Sequence, residues 1–228
     1  IYAYNRSFLK LQIAERKYGL KICENEIDAV KKADVILFAV KPDVIEEIII
    51  QVAHALENKA IISVIAGYLF EDYRKILPQS TRHLSIMPNT PLSVASGITL
   101  FEDISTLTDA ETKFVTQLFE TIGAIEILSS KLMQAASSVS GCGPAFMYLV
   151  IEAIADGAVM EGLPRDLAYR LVSQTMICAG MMQKTTELHP GILKDQVCSP
   201  GGTTIKGIKE LEEGNVRNAF VNAIKAAK

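Results

Sequence analysis

The feature that most constrains this chain is a change of pattern close to residue 129 of its 228 residues. Before that point, short apolar runs alternate with helical patterns, and the continuous run at 35–40 is typical of a parallel strand buried on both faces. After that point every segment has helical periodicity, and no strand pattern remains. The sequence therefore predicts an α/β unit with a mostly parallel sheet over 1–128, followed by an all-α unit over 129–228.

Each predicted element is bounded by turn or cap residues, such as Gly19 after the first helix. In the first part, strands are predicted at 1–5, 21–23, 35–40, 60–65, 83–87, 98–101 and 124–128, and helices at 8–18, 27–32, 44–56, 70–77 and 108–121. In the second part, helices are predicted at 131–139, 144–162, 165–186, 190–197, 203–214 and 216–227.

Two of the later helices are apolar on more than one face. The segments 145–160 and 167–182 carry few charges. A helix that is apolar nearly all round has to be buried, yet a domain of about 100 residues has a limited interior. We therefore expect a second copy of the chain to cover these helices in a homodimer, with a compact bundle core as the alternative.

Composition and charge narrow the function classes. The net charge of −3 argues against nucleic acid and anionic membranes as partners. No uninterrupted apolar run approaches the roughly 20 residues of a membrane span, and the first residues lack the pattern of a signal peptide. The four cysteines are widely spaced, which argues against a metal site and favours reduced thiols in a cytoplasmic protein.

A candidate anion site lies at 198–204, where two glycines and two threonine hydroxyls directly precede a helical pattern. The first turn of a helix presents unpaired N–H groups and a partial positive charge. Glycines let a ligand approach the backbone, so the segment suits a small carboxylate. The alternative is an ordinary turn followed by a capped helix.

The front of the chain lacks the glycine-rich turn G-x-G-x-x-G that opens a doubly wound nucleotide-binding domain. The segment 1–7 instead looks like the second strand of such a unit and the loop after it. We expect the first strand, glycine turn and helix to be absent from this sequence, and a chain that truly lacks them to bind dinucleotide poorly. In the loop, Asn5, Arg6 and Ser7 suit the 2′-phosphate of NADP, although Arg6 also fits a solvated surface position.

Several motifs together resemble the pyrroline-5-carboxylate reductase family over the whole of 1–228. They are Val-Lys-Pro at 40–42, Met-Pro-Asn-Thr-Pro at 87–91, Ser-Gly-Cys-Gly-Pro-Ala-Phe at 140–146, Gly-Leu-Pro-Arg at 162–165, His-Pro-Gly-Ile-Leu-Lys-Asp at 189–195 and Ser-Pro-Gly-Gly-Thr-Thr at 199–204. The resemblance implies an oxidoreductase acting on CH–NH groups, which reduces 1-pyrroline-5-carboxylate to L-proline in proline biosynthesis. It also implies a Rossmann-type NADP domain over 1–128, followed by a helical domain that interlocks into a dimer, with dimers assembling into a decamer in many members.

The resemblance implies a role for each matching residue. NADP would be the cofactor, with NADPH preferred and NADH as the alternative. The cofactor-binding positions would be Asn5, Arg6, Ser7, Asn25, Val40, Lys41, Pro42, Ala66, Met87, Asn89, Gln196 and Val197. The substrate carboxylate would lie on Ser199, Gly201, Gly202, Thr203 and Thr204, with donors from the backbone of the last three. The Thr204 hydroxyl would act in catalysis, beside the ring nitrogen or the nicotinamide.

Three positions depart from the family pattern, and two other functions stay open. Cys142 replaces the usual serine, Phe146 replaces a common tyrosine, and Ser130 falls where some members place a glutamate near the substrate. One alternative is a related two-domain dehydrogenase of the hydroxy-acid or coenzyme F420 type. The other is a dimerising fragment without catalysis, which the missing glycine turn would support.

Overall fold

The computed structural model describes all 228 residues and contains every strand and helix that the patterns predict. The strands are β1 (Tyr2–Ala3), β2 (Lys21–Ile22), β3 (Val35–Phe38), β4 (Ala60–Ser63), β5 (Arg82–Pro88), β6 (Gly97–Glu102) and β7 (Gly123–Leu128). The helices are α1 (Phe8–Tyr18), α2 (Glu26–Lys31), α3 (Ile45–Val52), α4 (Phe70–Ile76), α5 (Asp109–Glu120), α6 (Ser130–Ser140), α7 (Gly143–Met160), α8 (Arg165–Thr186), α9 (Pro190–Val197), α10 (Thr203–Glu213) and α11 (Val216–Ala226). Short 3-10 helices occur at Pro42–Val44, Ala53–Ala55 and Thr90–Val94, so the predicted helix at 44–56 is α only in its middle.

The strands form two sheets, and all but one of the strand pairs are parallel. β1 pairs with β2, and the larger sheet has the order β3-β4-β5-β6-β7. Only β5 and β6 run antiparallel. The connection between them holds one short 3-10 helix, and a parallel return needs a crossover of a dozen or more residues. The predicted Rossmann-type fold is confirmed, with an antiparallel step that the patterns do not predict.

The larger sheet is covered on both faces by separate apolar clusters. On one face, Ile36, Phe38 and Ile61 pack with Ile45 and Ile49 of α3. The other face is covered by α5, and the cluster there consists of Ile62, Leu84, Ile86, Phe101, Val115 and Phe119. Successive residues of a strand point to opposite faces, which is why neighbours in β4 belong to different clusters.

The expectation that the run at 35–40 is buried on both faces is wrong. Ile36 and Phe38 are buried, whereas the side chain between them, Leu37, is 56% exposed. β3 is the end strand of its sheet, and α3 covers only the face to which Ile36 and Phe38 point. The continuous apolar run therefore predicts the strand correctly, but it does not predict whether other elements pack on both faces of that strand.

The chain divides into two compact units, Ile1–Gly141 and Cys142–Lys228. The predicted division at 128/129 lies one helix earlier. α6 groups with the first unit because it packs against β6, and because the Asn89 side chain donates to its last carbonyl, at Ser140. The sequence pattern changes where the strands end, whereas the contacts change only after α6.

Much of the apolar surface of the second unit is uncovered within one chain. α7 and α8 pack on each other, and the buried residues there are Ala155, Ala168 and Val172. Large apolar side chains on the remaining faces are exposed: Met147, Tyr148, Leu149, Ile154, Ile177, Met181 and Met182. An exposed apolar surface of this extent is typical of an interaction site.

By length and composition alone, one stretch is long and apolar enough to cross a membrane, contrary to the expectation of no such segment. It covers the 31 residues Ser130–Met160, of which a small share is buried. The expectation counted uninterrupted apolar runs, whereas here serines and a few charged residues are spread through a segment of high mean hydropathy. The stretch consists of two helices, α6 and α7, that meet at Gly141 and Cys142.

Candidate cofactor and substrate sites

The carboxyl ends of β3 and β4 lie level at one edge of the sheet. Phe38 is the register partner of Ser63, so the segments that follow the two strands leave the sheet side by side. Val40, Lys41 and Pro42 follow β3, and Ala66 follows β4. This edge is where ligands bind in open parallel sheets. The structure thus brings four of the predicted cofactor-binding residues together.

The same edge offers a cation and little side-chain bulk. Lys41 is exposed and has no carboxylate partner. Ala66 is exposed, and Gly67 beside it has a φ of 82°, a left-handed conformation that glycine adopts without strain. An unpaired ammonium group beside small residues fits a phosphate-bearing cofactor.

β5 continues past the end of β4, and Met87 is its second-last residue. Asn89 follows it, and both polar atoms of its side chain are engaged. Its Nδ2 donates to the Ser140 carbonyl at 3.0 Å, and its Oδ1 accepts from the Ile98 N–H at 3.0 Å. The side chain thereby joins β5, β6 and α6, and it keeps a second Nδ2 hydrogen and a second Oδ1 lone pair for a further contact.

The predicted ribose and phosphate contacts lie on the smaller sheet. β1 and β2 are parallel, so Asn5 to Ser7 and Asn25 follow the same ends of neighbouring strands. Asn5 Oδ1 accepts from the Ser7 N–H at 2.8 Å, and Asn25 Oδ1 caps α2 by accepting from the Asp28 N–H at 2.8 Å. The amide Nδ2 donors are free, and Arg6 is exposed without an acidic partner. These free donors fit a ribose phosphate.

The predicted carboxylate loop ends at an uncapped helix. No side chain caps α10, so the backbone N–H groups of Thr203 and Thr204 have no partner. The Gly202 N–H, predicted as a third donor, instead donates to the Ser199 carbonyl at 3.0 Å, because the loop closes into a turn. A Cβ at Gly202 would lie 2.4 Å from Ser199 Oγ and 3.1 Å from the Ser199 carbonyl oxygen, so a larger residue here would require the Ser199 side chain to rotate away.

The last two predicted positions, Gln196 and Val197, end the helix α9 that precedes this loop. Together with residues of α8 they line an open apolar groove of about 380 Å³. His189 caps the start of α9 by accepting from the Gly191 N–H at 3.0 Å, a structural role for this histidine. The second unit therefore contains the predicted substrate loop, while most predicted cofactor positions belong to the first.

Comparison with known protein families identifies both parts of the chain. A family model described as NADP oxidoreductase, coenzyme F420-dependent, matches residues 1–67, and one described as pyrroline-5-carboxylate reductase dimerisation matches residues 130–228. A pyrroline-5-carboxylate reductase of Arabidopsis thaliana is 40% identical over 211 residues, which cover 92% of this chain and 76% of that protein. The chain belongs to the pyrroline-5-carboxylate reductase family.

Solved structures of the same family have the same fold. A pyrroline carboxylate reductase of Plasmodium falciparum with NADP bound has a TM-score of 0.86 at 29% identity, covering 99% of this chain and 83% of that one. A pyrroline-5-carboxylate reductase of Coxiella burnetii also gives 0.86, at 32% identity, covering 100% of this chain and 85% of that one. The coenzyme F420 alternative shares only the first-domain model, so membership of the reductase family decides against it.

Polar groups buried behind the ends of β3 and β4 are held neutral. Ser63 Oγ, at the end of β4, lies 2.5 Å from the Tyr73 hydroxyl and accepts from the Ile65 N–H at 3.3 Å. Burial raises the pKa of Tyr73 to about 12. Burial also lowers the pKa of His83, whose ring stacks on Phe70 with centroids 4.6 Å apart. These groups support the loop after β4 without carrying charge near neutral pH.

Sequence reasoning missed one further residue near this edge. Glu102, the last residue of β6, is only 2% exposed. Its Oε2 accepts from the Phe70 N–H at 2.9 Å, and its Oε1 accepts from the Ser130 hydroxyl at 2.5 Å. A glutamate directly after an apolar strand pattern predicts a solvent-exposed strand end. The residues around Glu102 give no indication that Phe70 and Ser130 will bond to it.

Proposed function

We propose that this chain reduces the cyclic imine 1-pyrroline-5-carboxylate to L-proline, the last step of proline biosynthesis, with NADPH as its preferred cofactor. The observation that carries the proposal is the loop at 199–204, which in this family member ends at an uncapped helix with free N–H groups. The substrate carries one small carboxylate, and such a helix end binds one small anion.

The substrate carboxylate binds the N–H groups of Thr203 and Thr204, with Ser199 and Gly201 forming the turn beneath it. Gly201 has a φ of 70°, which keeps the turn tight and free of side-chain bulk. The hydroxyl of Thr204 reaches the ring nitrogen or the nicotinamide. This arrangement fixes the ring at one end and leaves the imine carbon open to attack.

In the first unit the cofactor binds the positions at the strand ends, and Gln196 and Val197 are its proposed binding residues in the second unit. Arg6 contacts the 2′-phosphate, which gives NADPH its advantage over NADH. Lys41 contacts the phosphates, and Ala66 makes room for the nicotinamide. In this assignment 1–128 is the NADP-binding domain, and 129–228 is the substrate and dimerisation domain.

The reaction requires few catalytic side chains. NADPH supplies a hydride, and a protonated imine accepts it readily because its positive charge draws electrons to the imine carbon. The chain therefore needs no strong base. It has to hold the ring close to the nicotinamide, at about 3–3.5 Å, and to keep water out.

The active form is a homodimer through α7 and α8, which assembles further into a decamer in the cytoplasm. The support is the exposed apolar surface on these helices, where Leu149 is 65% exposed within one chain. The apolar stretch at 130–160 falls within the part matched by the dimerisation model, so a second protein surface, not lipid, is its proposed cover. Nucleic acid is not a proposed partner, because the net charge is −3.

The test is loss of NADPH absorbance on addition of 1-pyrroline-5-carboxylate, measured on the full chain and on Thr204→Ala. We expect turnover that falls about 100-fold in Thr204→Ala, since loss of one preorganised donor costs about that much. Thr203→Ala is the matched control, because it keeps its backbone N–H and should lose less than about threefold. Equal losses in the two variants would contradict the role of Thr204, and NADPH binding without imine reduction would refute the substrate.

A further inference from the structure

The starting observation is a buried carboxyl group without a cation. Glu102 is 2% exposed, and none of the ion pairs of the chain includes it. Burial of such a group is costly unless hydrogen bonds satisfy it. Here each oxygen has one donor, the Phe70 N–H on one side and the Ser130 hydroxyl on the other.

Each donor belongs to the first residue of a helix. Phe70 begins α4, and Ser130 begins α6. The N–H groups of a first helical turn have no partner within the helix, so a fixed acceptor determines where the helix begins. The bond from the Phe70 N–H therefore fixes the start of α4, and the bond from the Ser130 side-chain hydroxyl ties the first residue of α6 to the end of β6.

The start of α4 determines the path of the segment before it. That segment, 64–69, leaves the end of β4 and contains Ala66 and Gly67. It is held at its front by the Val64 N–H donating to the Phe38 carbonyl at 3.1 Å. At its rear, Phe70 donates its N–H to Glu102 of β6, and its ring stacks on His83 of β5.

Through α6, Glu102 is also linked to the segment that follows β5. The last carbonyl of α6, at Ser140, accepts from the Asn89 side chain, which follows β5. One carboxyl group is thus linked to the segments after β4 and β5, which carry Ala66 and Asn89. Both oxygens of Glu102 bond to the first residues of helices and neither bonds to Ala66 or Asn89, so its effect on a bound molecule is indirect.

We propose that Glu102 is a positioning residue of the reductase, which fixes the segment carrying Ala66 and so places the nicotinamide that binds beside it. The proposal rests on the function proposed above, because it takes this edge as the nicotinamide site. Glu102 itself contacts neither the cofactor nor the substrate. A displacement of about 1 Å at a hydride-transfer site costs about 100-fold in rate, so loss of this support has a measurable effect.

The test compares three variants of the full chain with a matched control. Glu102→Gln keeps an oxygen for the Phe70 N–H and an amide for Ser130, Glu102→Ala removes both bonds, and Ser130→Ala removes one. The control is Glu126→Ala, which removes an exposed glutamate of β7, the strand beside β6. Each variant is measured for NADPH affinity by fluorescence, for kcat per folded molecule, and for hydrogen exchange of the peptide 64–72.

The expected result is a graded loss with rescue by the conservative variant. Glu102→Ala should weaken NADPH binding about tenfold, lower kcat per folded molecule at least tenfold and speed exchange across 64–72. Glu102→Gln and Glu126→Ala should stay within about threefold of the parent chain. Ser130→Ala should lie between them.

The proposal is overturned if Glu102→Ala lowers only the melting temperature, with kcat per folded molecule and NADPH affinity unchanged. It is equally overturned if exchange across 64–72 does not change. Should Glu102→Ala not fold, an unchanged NADPH affinity and exchange rate in Ser130→Ala refutes it instead. Failure of the parent chain to reduce the imine would refute the proposed function alone, since NADPH affinity and hydrogen exchange still test Glu102.

Discussion

Replacement of Glu111 by glutamine should destabilise the first unit without affecting turnover. Glu111 lies in the first turn of α5 and forms a bidentate ion pair with Arg82, the first residue of β5. Arg82 Nη2 donates to Oε1 at 2.7 Å, and its Nε donates to Oε2 at 2.9 Å. The same carboxylate accepts from the Thr108 N–H at 2.9 Å, which completes a capping box. Since Arg82 begins its strand, the pair lies at the edge opposite the proposed cofactor site.

The size of the effect follows from the titration of this carboxyl group. Hydrogen bonding to Arg82 lowers the pKa of Glu111 from 4.5 to about 2. A difference of about 2.5 units corresponds to an upper bound of about 3 kcal/mol at neutral pH. The side chains of Arg82 and Glu111 are 29% and 19% exposed, so solvent screening reduces this to about 2 kcal/mol.

The stabilisation also has a defined pH window. Because the pKa is lower in the folded state, the contribution is complete above about pH 5, declines as the pH falls below 4.5, and is lost near pH 2. Glu111→Gln should lower the melting temperature by about 4–8 °C at pH 7. The gap to the parent chain should narrow as the pH falls from 5 to about 3.

The assay is thermal unfolding by circular dichroism across this pH range, with kcat measured below the transition. Asp109→Asn is the control, since it removes an exposed acid from the same helix turn. It should cost less than about 1 kcal/mol, the size of a helix-dipole effect alone. Equal shifts in the two variants, or a gap that does not narrow at low pH, would refute the ion-pair reasoning.

Two further predictions address the cofactor and the assembly. Arg6→Ala should raise the KM for NADPH about tenfold and leave the KM for NADH unchanged, because the lost hydrogen bond is to a phosphate that NADH lacks. Steady-state kinetics with both cofactors measure this, with Arg16→Ala in α1 as the control, and an equal rise for both cofactors contradicts it. Leu149→Arg should convert the oligomer to monomer in light scattering, since it places a charge on the exposed apolar face of α7, whereas Ile50→Arg in α3 should not. An unchanged mass for Leu149→Arg would contradict the proposed interface.

Local signals predict the elements well because their ends depend on neighbouring residues. Helix α1 ends at Tyr18 because Gly19 adopts a φ of 65° and closes the helix, which a glycine after the last apolar residue predicts. α8 and α9 have the predicted bounds for similar reasons, with Pro164 and His189 directly before them. The alternation of strands and helices then fixes a mostly parallel sheet.

What the patterns do not predict depends on contacts between distant segments. The exposure of Leu37 follows from the position of β3 at the end of the sheet, which no property of the run at 35–40 reveals. The place of α6 in the first unit follows from its contacts with β6 and Asn89. Both are consequences of strand order and packing, which are settled only once the chain is folded.

In the candidate site, too, the features that depend on adjacent residues are predictable, and those that depend on distant residues are not. The loop at 199–204 is predictable because the residues that shape it are adjacent, although its turn takes the Gly202 N–H that the sequence assigns to the substrate. The hydrogen-bond partners of Glu102 are 32 and 28 residues away in sequence, so the residues beside Glu102 do not indicate which groups it bonds. A buried carboxyl group is retained in a fold only where specific donors offset its loss of water. The buried position of Glu102 therefore indicates that its bonds to Phe70 and Ser130 hold the first residues of α4 and α6 in place. Because α4 follows the segment that carries Ala66, we expect loss of these bonds to weaken cofactor binding although Glu102 does not contact the cofactor.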